Sequence, residues 1–199
     1  WLLVFFVFES LNAQSNKEKV DNSKPNILLI NIDDLGWRDL GFMGSEYYET
    51  PNIDALAKQG MIFTNGYASS ANCAPSRASL MTGKWTTRHG IYTVGNSDRG
   101  RSQHRKLIPT KNTTTLPKSY NIIPEVLQEN GYTTCHAGKW HLSKNPLDYG
   151  FQINIAGGHN GHPRSYYPPY KNVNIEKGES ENLTDLIMEK TLAFIDTVS

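Results

Sequence analysis

Cysteine is scarce in this 199-residue sequence, which has only Cys73 and Cys135. That excludes a disulfide-stapled mini-fold and the clustered thiols of a structural zinc site. Excess charge is also lacking, since 20 Lys and Arg face 19 Asp and Glu, a formal net charge of +1. No basic run or aromatic-interleaved basic face argues for nucleic acid, so any positive charge that matters must be local. No apolar run is long enough to span a bilayer; Trp1 to Phe8 is nearly unbroken but too short. It has no initiator Met or basic residues before it, and Leu11-Asn12-Ala13 and the polar stretch Gln14 to Lys24 follow. It therefore reads as the tail of a signal peptide cleaved after Ala13, with a short core helix or strand as the alternative. Residues 1–24 are expected to stand outside the fold. The chain is expected to be secreted or periplasmic, without a stable membrane anchor.

The 38% hydrophobic content suffices for a real core. After Pro25, the run Asn26 to Ile32 has the continuous β-branched character of a strand buried on both faces of a parallel sheet. It ends in Asp33-Asp34-Leu35-Gly36. Adjacent carboxylates at a strand's carboxyl end lie where open α/β sheets bind ligands, and a hard cation would relieve their repulsion. Taken alone, the pair reads first as a solvated turn cap and only second as a cation site. Thr50-Pro51 opens a helix that stops at Gly60, and Met61-Ile62-Phe63 with Tyr67-Ala68 predicts a second strand running toward Cys73. A further helix is predicted from near Ser76 to Gly83. This alternation predicts an α/β fold: a mixed, mostly parallel, doubly wound sheet flanked by helices.

Cys73-Ala74-Pro75-Ser76-Arg77 places a thiol ahead of that helix, whose open N–H groups favour an anion. A Cys73–Cys135 disulfide is left open by the residues alone, and Asn112-Thr113-Thr114 and Asn182-Leu183-Thr184 fit the glycosylation sequon. Residues 88–119 lack a sustained period and read as a long rim loop. A short helix from Pro124 to Asn130, with Val126 and Leu127 inward, precedes a strand from Tyr132 to Ala137. That strand delivers Gly138-Lys139-Trp140-His141-Leu142. In extended backbone Lys139 and His141 project to the same side, suited to an oxyanion and a proton, although as an isolated pair they read first as a surface lysine beside a packed histidine. The stretch from His159 to Tyr170, with His162, Arg164, Tyr166 and Tyr167, suits sugar contacts or simply packs, and a final helix spans Thr184 to Val198.

Four segments together resemble the type I, formylglycine-dependent sulfatases of the alkaline phosphatase superfamily, a group that includes arylsulfatases. They are Asn26 to Asp34 with Leu35-Gly36-Trp37, Thr50 to Gly60, Cys73 to Gly83, and Gly138 to Leu142. The third is the most specific, because C-x-P-S-R followed by T-G is that family's maturation signature. The resemblance implies that a formylglycine-generating enzyme oxidises Cys73 to formylglycine, guided by Pro75 and Arg77. It also displaces the disulfide and leaves Cys135 as a small buried strand residue. Asp33, Asp34 and residue 73 would ligate Ca2+, Arg77 would hold the formylglycine, Lys139 would bind a sulfate oxygen, and His141 would assist at the formylglycine or the sulfate. The implied reaction is hydrolysis of a sulfuric ester, on a sulfated carbohydrate. Alternatives are a phosphonate or phosphate monoester hydrolase of the same superfamily, or a non-catalytic secreted α/β binding protein. Family catalytic domains are longer and carry further metal ligands downstream, so residues 25–199 read as the N-terminal portion of such a domain, inactive alone. Gln152 also stands where many relatives carry Asp.

Overall fold

The computed structural model describes residues 4–8 and 24–198, which fall into two compact units divided between Ala68 and Ser69. In the first unit, strand β2 (Asn26–Ile30) pairs antiparallel with β1 (Val4–Phe8), Val4 opposite Ile30 and Phe8 opposite Asn26. Part of the run expected outside the fold is therefore a strand, because an extended apolar segment can satisfy the backbone groups along one edge of β2. The expected cleavage after Ala13 and the polar stretch that follows lie outside the described residues. β2 also differs from expectation in burial, with Ile27, Leu28 and Ile30 all exposed. An apolar run encodes the tendency to be covered but not the element that covers it.

Helix α1 (Pro51–Gln59) starts and stops where the sequence predicts. Thr50, however, does not cap it by its side chain. Its hydroxyl accepts from the Gly41 N–H at 2.8 Å and donates to Asp54 Oδ1 at 2.8 Å, while the same carboxylate oxygen accepts from the Phe42 N–H at 2.9 Å. This ties α1 to the 3-10 turn Gly41–Met43. A Cβ on Gly41 would stand 2.3 Å from Asp54 Oδ2, so the lock needs glycine. The strand expected around Met61 to Ala68 is irregular and open to solvent, with Met61, Phe63 and Tyr67 exposed. Its β propensity is overridden because no strand among the described residues pairs with it.

The second unit is built on helix α2 (Cys73–Thr82), which begins at Cys73, three residues before the expected start. Pro75 fits that first turn because its missing N–H would find no partner there. Gly83 ends the helix in the left-handed region at φ 64°, and its N–H bonds the Ser79 carbonyl at 2.9 Å. The buried face of α2 is small, formed by Ala74, Pro75, Ala78 and Ser79, which allows close packing on Ile91, Leu116, Ile122, Trp140, Leu142 and Tyr149. Trp140 anchors this core, its indole N–H donating to Ser143 Oγ at 2.7 Å, while the Tyr149 hydroxyl donates to the Leu116 carbonyl at 2.6 Å.

Short helix α3 (Thr86–His89) follows, then the long segment expected as a rim loop, which also holds a 3-10 turn at Ser102–His104. Helix α4 (Ile123–Glu129) turns Pro124 inward, beside buried Ile122; of the two residues expected inward, Leu127 is half-buried and Val126 is exposed. Strand β3 (Cys135–Ala137) pairs in parallel with β4 (Ile153–Ile155), giving the α/β class that the sequence predicts. The ladder extends through Gln152, whose side-chain carbonyl accepts from the Thr134 N–H at 3.0 Å and whose own N–H donates to the Thr134 carbonyl at 2.9 Å. This gives the unusual glutamine a structural role. Helix α5 (Leu183–Val198) completes the unit, started by Asn182, whose side-chain oxygen accepts from the Thr184 N–H at 2.9 Å.

Candidate active site

Cys73 is the first residue of α2 and half-buried. Helix geometry places Arg77 one turn on, along the same face. Its guanidinium Nη1 donates to the backbone carbonyl of Lys139, 62 positions away in sequence. That bond joins the cysteine helix to the Gly138–His141 segment. The segment is irregular and bent at Gly138, not extended as the Lys139–His141 spacing argument assumes, with Gly138 at φ 85° and His141 at φ 64°. Alternation therefore does not set the directions of Lys139 and His141. Backbone anchors do, through the Gly138 N–H to the Ile155 carbonyl at 2.8 Å and the His141 N–H to the Gly158 carbonyl at 2.9 Å.

Behind the segment sits His136, whose Nε2–H donates to the Gly138 carbonyl at 3.1 Å. Its ring packs against Trp140 and Phe151, with centroids 5.3 Å and 5.1 Å away. Burial drives its pKa down to about 4, the Gly138 hydrogen bond opposing and the nearby Arg77 charge reinforcing the shift. His136 is therefore neutral near pH 7 and serves as a fixed donor. In front, the exposed His159 ring lies edge-on to His141 at 6.4 Å, and a Cβ on Gly161 would come within 2.6 Å of the His141 ring. The stretch noted for its histidines and tyrosines thus begins directly on His141.

A second buried pair braces α2, with Ser79 Oγ 3.0 Å from His89 Nε2 and His89 Nδ1 accepting from the Ile91 N–H at 3.1 Å. That acceptor role leaves the proton on Nε2, so His89 donates to Ser79, and burial lowers its pKa. Cys73 and Cys135 are both free thiols, and burial raises Cys135 to about 11. Cys135 is accordingly an inert, protonated strand residue. His136, His89 and Ser79 escaped the sequence reading because a lone histidine or serine carries no spacing signal.

Asp33 and Asp34 belong to the first unit, in the turn after Ile32. Asp33 is half-buried and Asp34 exposed, the latter at φ 57°. Their oxygens suit a hard cation in kind. Among the described residues, however, no three His, Cys, Asp or Glu side chains gather to hold one. The described residues therefore do not furnish a full coordination shell.

The sulfatase family model matches residues 25–199, a span containing all these positions. The chain is 34% identical to N-acetylgalactosamine-6-sulfatase of Rattus norvegicus over 200 aligned residues, 87% of this chain and 36% of that enzyme. Among solved structures it resembles Ps i-CgsB bound to k-i-k-neocarrahexaose, with TM-score 0.62 and 32% identity over 83% of this chain and 40% of that one. It also resembles BT4656 bound to its substrate D-glucosamine-2-N,6-O-disulfate, with TM-score 0.60 and 30% identity over 80% of this chain and 28% of that one. The chain thus spans little more than a third of its curated relative's length. With the family model covering residues 25–199, a range that includes β2, the cysteine helix and the Gly138–Leu142 segment, the chain belongs to the sulfatase family.

Proposed function

We propose that the protein of which these residues form part hydrolyses sulfuric esters of carbohydrates, with a formylglycine made from Cys73 as nucleophile. The observation that carries this reading is the Arg77 bond to the Lys139 carbonyl, which brings the cysteine helix and the Lys139–His141 segment together. The names and bound sugars of the relatives support a sulfated carbohydrate as substrate.

In the hydrated aldehyde one hydroxyl oxygen, giving up its proton, attacks sulfur, and the bond from sulfur to the sugar oxygen breaks. The departing alkoxide takes up a proton. Loss of a proton from the second hydroxyl then re-forms the C=O bond and expels sulfate, and water rehydrates the aldehyde. Arg77 holds residue 73 and fixes the segment, Lys139 binds a sulfate oxygen, and His141 carries a proton at the formylglycine or the sulfate. By the family resemblance alone, Asp33, Asp34 and residue 73 would be the ligands of a Ca2+ ion, which would supply positive charge opposite the developing negative charge. Maturation requires a formylglycine-generating enzyme, and the Trp1–Ala13 stretch favours export. No described helix is long and apolar enough to cross a membrane.

The test is turnover by the full-length, matured protein on paired sulfate and phosphate monoesters of one sugar. Higher kcat/KM on the sulfate is expected. Preference for the phosphate would replace this reading with a phosphomonoesterase.

A further inference from the structure

Charge along the chain is strongly segregated. Residues 84–118 hold eight Lys and Arg against one acid, Asp98, a net +7; with the whole chain at +1, the remainder is −6. The cations are dispersed through the sequence and form no run.

The fold fastens this segment to the active-site elements at both ends. Near its start, Thr93 Oγ1 accepts from Asn72 Nδ2 at 3.0 Å, immediately before Cys73. Near its end, the Leu116 N–H donates to the Leu142 carbonyl at 2.8 Å, immediately after His141. Asn112 braces the two limbs, its side-chain oxygen accepting from the Tyr92 N–H at 2.7 Å and its amide donating to the Thr93 carbonyl at 3.0 Å. Two of the arginines are used internally. Arg99 donates to the Val94 carbonyl at 2.9 Å, while Arg105 donates to the Gly100 carbonyl at 2.6 Å and pairs with Asp98. The segment's single acid is thus neutralised from within, and Arg101, His104, Lys106 and Lys111 stand exposed.

We propose that residues 99–111 form a binding surface, beside the Cys73 and His141 elements, for further sulfate groups of a polysulfated glycan chain. The inference rests on the sulfatase reading for the substrate's chemical class. A polymer with one sulfate at residue 73 would carry its neighbouring sulfates along this rim, where Arg101, Lys106 and Lys111 offer point charges and a planar donor fork. Leu107 and Ile108 are 84% and 96% exposed between those cations, suited to the C–H faces of pyranose rings. From Arg101 to Lys111 there is no Phe, Tyr or Trp on which nucleic-acid bases would stack, which favours a glycan over a single-stranded nucleic acid.

The experiment uses the full-length Cys73→Ser protein, so that binding is read without turnover, and titrates it with a heparin hexasaccharide at several salt concentrations. Arg101→Ser/Lys106→Ser is compared with Lys58→Ser/Lys177→Ser, which removes the same net charge elsewhere. Thermal midpoints establish that both variants are folded. The expected result is at least a ten-fold weaker complex for the first variant only, with the slope of log affinity against log salt reduced by about 2. Equal losses in both variants, or no loss in the first, would overturn the proposal. Tighter binding of a single-stranded oligonucleotide of equal charge would overturn it in favour of nucleic acid. Failure of the sulfatase reading appears separately, as absent sulfate release by the matured protein.

Discussion

Replacing His136 with glutamine makes the cost of its burial measurable as a pH dependence of stability. The ring is held between Trp140, Phe151 and the Gly138 carbonyl, and its pKa falls from the usual 6.5 to about 4 through burial first. Because the folded pKa is depressed, the unfolded chain binds the proton more readily. The neutral ring's stabilisation is therefore complete above about pH 6.5 and is lost as pH falls toward 4. Between pH 7 and pH 5 this amounts to about 2 kcal/mol, from a shift of about 2.5 units at 1.36 kcal/mol each, only part of it expressed in that window. Urea unfolding of wild type and His136→Gln at both pH values gives the comparison. Whatever pH-independent packing the substitution costs, the wild type should lose about 2 kcal/mol more on acidification. His89 and the carboxylates titrate in both proteins and cancel. Parallel losses would refute a buried, neutral His136.

Three further substitutions probe the braces of the site. Arg77→Lys removes the planar fork that reaches the Lys139 carbonyl; kcat/KM on a sulfate ester should fall about ten- to hundred-fold, the equivalent of one hydrogen bond from a charged donor. Ser79→Ala leaves the buried His89 Nε2–H without its acceptor and should lower unfolding free energy by about 1–3 kcal/mol at pH 7. Gly161→Ala puts a methyl within 2.6 Å of the His141 ring; steady-state kinetics should show reduced kcat while the thermal midpoint stays within a few degrees, and unchanged kcat would show that the ring has room to move.

Much of the candidate site is legible in the sequence because two motifs carry its residues in linear order. Cys73-x-Pro75-Ser76-Arg77 marks a helix start, and Gly138 to Leu142 marks the segment that Arg77 reaches. α1 was equally readable, since Thr50-Pro51 and Gly60 punctuate it on both sides. The sequence was silent where tertiary context decides. Period-two reasoning failed at Lys139 and His141 because Gly138 and His141 both adopt positive φ, which backbone anchors to Ile155 and Gly158 sustain. Val126 fits an inward helix position by spacing, yet Ile122 and Pro124 take the core. The apolar Asn26–Ile30 run announces a strand without saying whether its partner is parallel or antiparallel. Near-zero net charge hides the basic segment of residues 84–118, which acids elsewhere in the chain balance.

The central claim concerns the chemical state of residue 73. Protein purified from its native host, digested and weighed by mass spectrometry, should yield the peptide spanning Cys73 to Arg77 with an aldehyde in place of the thiol, and should label there with a carbonyl reagent. An unmodified thiol in actively hydrolysing protein would contradict the account, since the nucleophile proposed for Cys73 would then not exist.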